Sequence, residues 1–214
     1  MALAKILLVL EWVSFITGLC ALNKLGKEGR AIIYFLGVVV LSETVGILIR
    51  YYADPHYMVR YNKTWFSMMF PFQFSSLLLC YYKTTRFAYW RIAITGFGGI
   101  LLFVFMLQLL TGNLTEVNTF NYTLGAIFVS ACSLHYLFEL MNSEKIEEVT
   151  RDPFLYISIG LLLFYLGTLP FHAMRMYLYE THREIFWVYY YLFFGFNYFL
   201  YGIITFAFLW AKKK

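Results

Sequence analysis

Seven stretches of this sequence are apolar over about the 20 residues that a helix needs to cross a bilayer. They run approximately over Ala4–Leu22, Ala31–Tyr52, Thr64–Tyr82, Trp90–Leu110, Asn118–Leu140, Pro153–Met174 and Ile185–Trp210. Backbone polar groups left unpaired in hydrocarbon cost several kcal/mol each, and the runs are too long for barrel strands, so they are read as α-helices. Composition points the same way. Of all residues 61% are hydrophobic and 14% charged, against about half and about a quarter in a soluble domain. This balance excludes a disordered, collagen-like or nucleic-acid-binding chain. Sharing the length among seven spans leaves about 31 residues for each helix and its loop, which is room for short connections only. The expectation is an all-α integral membrane bundle of seven transmembrane helices, one domain over residues 1–214 with no soluble domain.

Lysines and arginines beside spans are retained in the cytoplasm. Alternating the spans puts Lys24, Lys27, Arg30, Lys83, Arg86, Arg91, Lys145, Arg151, Lys212, Lys213 and Lys214 on one face, and Lys5, Arg50, Arg60, Lys63, Arg175 and Arg183 on the other. The richer face is expected to be cytoplasmic, which leaves the N-terminus outside and the C-terminus inside. The net charge of +5 is then a topogenic bias and an attraction to anionic lipid, with no nucleic-acid partner implied. The expected location is the plasma (inner) membrane, crossed several times.

Trp65, Trp90, Trp187 and Trp210 fall at predicted helix ends, where amphipathic rings favour the headgroup layer; Trp12 is the exception. Glu11 interrupts the first run and no small-x-small cleavage site follows it, so that run is read as a span and not as a cleaved leader. Cys20, Cys80 and Cys132 lie in spans without disulfide or metal spacing and read as free, buried thiols. Acceptor sequons at Asn62, Asn113 and Asn121 all fall on the predicted outer side.

An ionisable group inside a span costs about 2.5–3.5 kcal/mol on insertion scales and invites a functional reading. Glu11 and Glu43 should sit roughly 10–14 Å below the outer surface, at about 1.5 Å per residue, with Gln73 at a similar depth and Asn197 slightly deeper. Two carboxylates at one level in low dielectric cannot both stay ionised without a compensating cation. Arg50, a bound cation or a proton are the candidates. Glu43, Gly46 and Arg50 share a face at i, i+3 and i+7. The same carboxyls also fit a plainer role as neutral hydrogen-bonding groups between helices.

A second group, Thr168, His172 and Arg175 on one face of the sixth span together with Gln108, would rim an outward vestibule. A third, Cys132, His135 and Glu139 on one face of the fifth span, suggests a weak proton relay toward the cytoplasm. One helix alone spreads these three too far to hold zinc, so no metal and no cofactor is expected. The seventh span has no lysine for a retinal Schiff base, and only His135 and His172 lie in spans, too few for a three-histidine membrane zinc hydrolase.

The candidate ligand- or ion-binding residues are therefore Glu11, Glu43, Gln73, Asn197, Arg50, His172 and Arg175, with His135 and Glu139 as the relay. The favoured expectation is a non-enzymatic transporter or channel for a cation, proton or small polar solute. The alternatives are a sensor or receptor subunit coupling an outer pocket to a cytoplasmic protein at the basic loops, and a lipid-acting membrane enzyme. Expected partners are membrane lipids, a cytoplasmic protein and further copies of the chain. The discriminating feature is the inner half, which a transporter would provide with a polar route and a sensor would close.

Overall fold

A computed structural model describes residues 2–111, 119–142 and 152–211. Among these residues seven helices form: α1 Ala2–Ala21, α2 Lys27–Tyr52, α3 Pro55–Thr84, α4 Ala88–Thr111, α5 Thr119–Met141, α6 Pro153–Thr181 and α7 Arg183–Trp210. Six of them are long and apolar enough to cross a membrane. The exception, α3, is 30 residues long but begins at Pro55 and not at Thr64, so its first turns carry His56, Arg60 and Lys63. The early start has a local cause. Asp54 accepts a hydrogen bond from the His56 N–H at 2.8 Å, and Pro55 occupies a first-turn position where its missing N–H costs nothing. Asp152 and Pro153 start α6 in the same way, with the Phe154 N–H donating at 3.0 Å. The Asn62 sequon consequently lies within a helix, and Asn113 lies outside the described residues. The chain is a polytopic membrane protein.

Six helices close a ring in the order α1, α2, α3, α5, α6, α7 and back to α1. Within it α3 and α5 run parallel, as Phe74 packs on Tyr122 and the Tyr81 and Ser133 hydroxyls meet at 2.7 Å. Antiparallel order is impossible there, because α4 carries the chain back between them. This helix stands outside the ring against α3 and α5, with only Ile94 and Leu101 buried. The side of the bundle where α1 starts is its amino face, and the side where α7 ends is its carboxy face.

Glycines set the closest approaches. On α6, a Cβ at Gly160 would strike Ile203 of α7, and one at Gly167 would strike the Phe196 ring. Two large side chains seven residues apart on α7 thus seat on two glycines seven residues apart on α6, which fixes the register of the seam. Toward the carboxy face the ring is filled mainly by apolar side chains, with Ile32, Leu36, Leu77, Ile157, Leu161 and Ile204 each 0% exposed, around a buried hydroxyl cluster in which Tyr81 meets Ser133 at 2.7 Å and Ser158 at 3.4 Å. Cys80 and Cys132 are buried there, but Cys20 is exposed, contrary to the expectation for all three thiols. Trp12 points outward from the middle of α1, so it belongs to the lipid-facing surface and not to an interfacial belt.

Candidate functional site

Halfway along α1, Glu11 turns into the ring and is 2% exposed. Its neighbours come from two other helices: Glu43 of α2 lies within electrostatic reach, and the Tyr201 hydroxyl of α7 is placed to donate to the carboxyl. The Glu11 Oε2 atom is buried without a hydrogen-bond partner among the described residues. A buried carboxyl oxygen with no donor is an unmet acceptor, and groups of this kind attract a proton, a water or a cation.

The α1–α7 contact beneath it is itself polar. The Ser14 hydroxyl meets the Leu10 and Tyr201 carbonyls, both at 2.9 Å, and Thr205 Oγ1 at 2.8 Å. Those bonds hold α1 at the height that brings Glu11 beside Tyr201.

Of the other residues expected in this layer, Glu43 is half-buried and also within electrostatic reach of Tyr201. Gln73 is placed one step away, its amide donating to Ser42 Oγ at 3.0 Å while the Trp65 indole donates to the Ser42 carbonyl at 2.9 Å. Gln73 therefore clamps α2 to α3 next to Glu43. Asn197 is buried, but its amide donates to the Phe193 carbonyl of its own helix at 2.8 Å. Arg50 is exposed two turns above Glu43; it acts on the carboxyl through space, without an ion pair among the described residues.

Above this level toward the amino face lies the α6 group. Thr168 is within hydrogen-bonding range of the buried Tyr122 hydroxyl, and Arg175 lies within electrostatic reach of both Tyr122 and His172. The His172 ring packs on Tyr122 with centroids 4.0 Å apart and on Phe193 at 5.4 Å, and its Nε2 has no partner among the described residues. Gln108, expected with this group, lines a groove beside α3 together with Ser67 and Asn121.

The expected relay is not continuous with the carboxyl layer. His135 faces α4, stacked on Trp90 at 4.4 Å and edge-on to Phe87 at 5.7 Å, outside the ring. Glu139 accepts from Thr85 Oγ1 at 2.7 Å and lies 3.4 Å from His135 Nδ1, while the Arg91 guanidinium donates to the Thr85 carbonyl at 2.9 and 3.2 Å. This cluster fastens the α3–α4 turn to α5. Glu139→Ala should cost about 1–3 kcal/mol of stability, because it leaves the buried Thr85 hydroxyl without its acceptor, measured as a lower unfolding temperature in detergent. Any cation response of the protein should be unaltered by it.

Three residues at the centre do not stand out in the sequence: Tyr122, Tyr165 and Tyr201, buried and mutually within electrostatic reach. Tyr201 is accessible to the same reasoning that finds Asn197, because Asn197, Tyr201 and Thr205 share a face at i, i+4 and i+8. Tyr165 likewise shares a face with Thr168, His172 and Arg175. In so aromatic a chain, a tyrosine reads first as belt or filler.

No family model matches the sequence, and neither a curated protein nor a solved structure matches it.

Proposed function

We propose that the protein is a membrane receptor or sensor subunit that holds a proton or small cation at the Glu11, Glu43 and Tyr201 layer, reached from the amino face. The observation that carries this reading is the one-sidedness of the interior. Exposure rises from Glu11 through the half-buried Glu43 to the exposed Arg50, while on the other side Leu36, Leu77, Ile157, Leu161 and Ile204 are fully buried. The polar groups on that side are neutral hydroxyls already bonded to one another, Tyr81 to Ser133 and Ser158, and they carry no charge to offset the desolvation of an ion. The His135 and Glu139 pair, which could have continued the route, lies on the other side of α5. Occupancy of the layer would tie α1, α2 and α7 together, and the ends of those helices are where such a change reaches a partner. Amino-face access corresponds to the outside under the expected orientation.

Transport keeps one supporting observation: Pro71 and Pro170 interrupt two ring helices, where bending could expose the layer alternately. The two readings separate in liposomes. Proton and cation flux through reconstituted protein should not exceed that of empty vesicles. With Cys20→Ser as background, Glu43→Cys should react with a membrane-impermeant thiol reagent from the amino face only. Flux above background, or labelling from both faces, would transfer the weight to transport.

A further inference from the structure

Beside α3, where α4 and the start of α5 meet it, the groove holds an enclosed space of about 20 Å³. A water needs about 10–15 Å³ of such space, so the volume suits one water and no organic ligand. The lining is polar at one end only. Ser67, Gln108 and Asn121 stand nearer the amino face, by their positions along α3, α4 and α5, while Phe70, Leu101 and Phe105 lie deeper. Among the described residues no charged side chain lines it.

The polar end is unsatisfied at one residue in two ways. Ser67 is 6% exposed, and its Oγ has no hydrogen-bond partner among the described residues. Other helical serines here donate to the carbonyl four residues back, Ser76 to Phe72 at 2.7 Å and Ser130 to Ala126 at 2.8 Å. Four residues on from Ser67, Pro71 has no N–H to give to the Ser67 carbonyl, so that acceptor also loses its helical partner. Within a bilayer, a carbonyl freed by proline is bonded again by a neighbouring side chain or an ordered water. A hydroxyl, a carbonyl and the Gln108 amide around room for one molecule call for a guest that both donates and accepts, as water does.

We infer that this space is a hydration site, in which one water bridges the hydroxyl and carbonyl of Ser67 on α3 to the Gln108 amide on α4. The water donates to the carbonyl that Pro71 leaves free, accepts from the Ser67 hydroxyl, and reaches Gln108 with its second hydrogen. Phe70, Leu101 and Phe105 offer no further partner, so hydration stops at the single molecule. The bridge pins α4, which stands outside the ring, to α3 at its proline, and lets α3 flex at Pro71 while the freed carbonyl stays bonded. The neutral lining carries no charge to offset the desolvation of an anion, and the Ser67 carbonyl has no proton to give one. The site is independent of the Glu11 layer and stands or falls without it.

The test is X-ray radiolysis of the full chain in nanodiscs, with side-chain oxidation read residue by residue. A radical born from a bound water attacks the side chains that touch it. Phe70 and Phe105 should therefore be oxidised at least tenfold faster than Phe97 and Phe128, which stack on each other at 3.9 Å between α4 and α5. After mixing with oxygen-18 water, their products should take up the isotope more slowly than those of the exposed Tyr57. Ser67→Ala should lower oxidation of Phe70 and Phe105 about fivefold and leave Tyr57 unchanged, while Ser67→Thr, which keeps the hydroxyl, should preserve it. Pro71→Ala, which returns an N–H to the Ser67 carbonyl, should lower it as well. Yields should be equal in chloride and in gluconate; oxidation that rises only when chloride is removed would assign the space to an anion and overturn the inference. Oxidation of Phe70 and Phe105 no faster than of Phe97 and Phe128, or a Ser67→Ala protein labelled as the wild type is, would overturn it too. Should a variant fail to fold, the wild-type comparison with Phe97 and Phe128 decides.

Discussion

Gly160→Leu should leave little folded protein, and adding Ile203→Ala should restore much of it. In an isolated helix the first change would be favourable by about 1 kcal/mol, since glycine is a poor helix former. Here packing decides the outcome. A Cβ at position 160 already strikes Ile203, and Leu200 stands close by, so the larger side chain must push α6 and α7 apart. Overpacking a tight contact costs about 1–3 kcal/mol, and separating two helices of a closed ring costs more because every other seam is strained with it. The helices lack a hydrophobic drive to re-associate within lipid, so lost van der Waals contact is not replaced. The measurement is the monodisperse fraction and unfolding temperature in detergent for Gly160→Leu, Ile203→Ala and the pair. The double variant should be more stable than the sum of the singles predicts by about 1–3 kcal/mol. Simple additivity would show that the seam does not close on these two residues. Gly167 against Phe196 should behave likewise.

The second large effect is expected at the carboxyl pair. Glu11→Gln and Glu43→Gln each keep the side-chain shape and remove one titratable carboxyl. If one guest is shared between the two carboxyls, either change should weaken cation- or proton-dependent stabilisation at least tenfold, and the double variant should lose little more. Thermal unfolding across a panel of chloride salts at fixed ionic strength, together with proton release measured on adding each salt, reads both guests. Independent, additive losses would mean two separate sites. A wild-type protein whose stability answers to neither cations nor pH between 5 and 8 would leave the pair as interhelical hydrogen-bonding groups alone. Tyr201→Phe supplies the control for geometry: it removes the donor beside Glu11 without changing the charge.

The fold is legible in the sequence because the bilayer imposes it: twenty apolar residues have few options. The element that departs from its expected bounds, α3, does so where hydrophobicity is silent and helix capping speaks, at Asp54-Pro55. Depth counting along α1 and α2 is enough to set Glu11 near Glu43, because both helices run straight across and touch each other. It is not enough for Gln73 and Asn197, since depth says nothing about rotation around the bundle; Gln73 turns to Ser42 and Asn197 to its own backbone. Rotation also parts His135 from the interior. Its face on α5 is visible in the sequence, but whether that face meets α4 or the ring depends on packing order, which no periodicity encodes.

Because α4 only leans on a finished ring, its contribution is one of parity. It is the return stroke that lets α3 and α5 point the same way. Its outward residues, with open space around Gly96 and Gly99, should accept substitution so long as the segment still spans. Deleting the segment whole would be another matter: everything downstream would enter the bilayer upside down, and Tyr201 would arrive at the wrong end of Glu11.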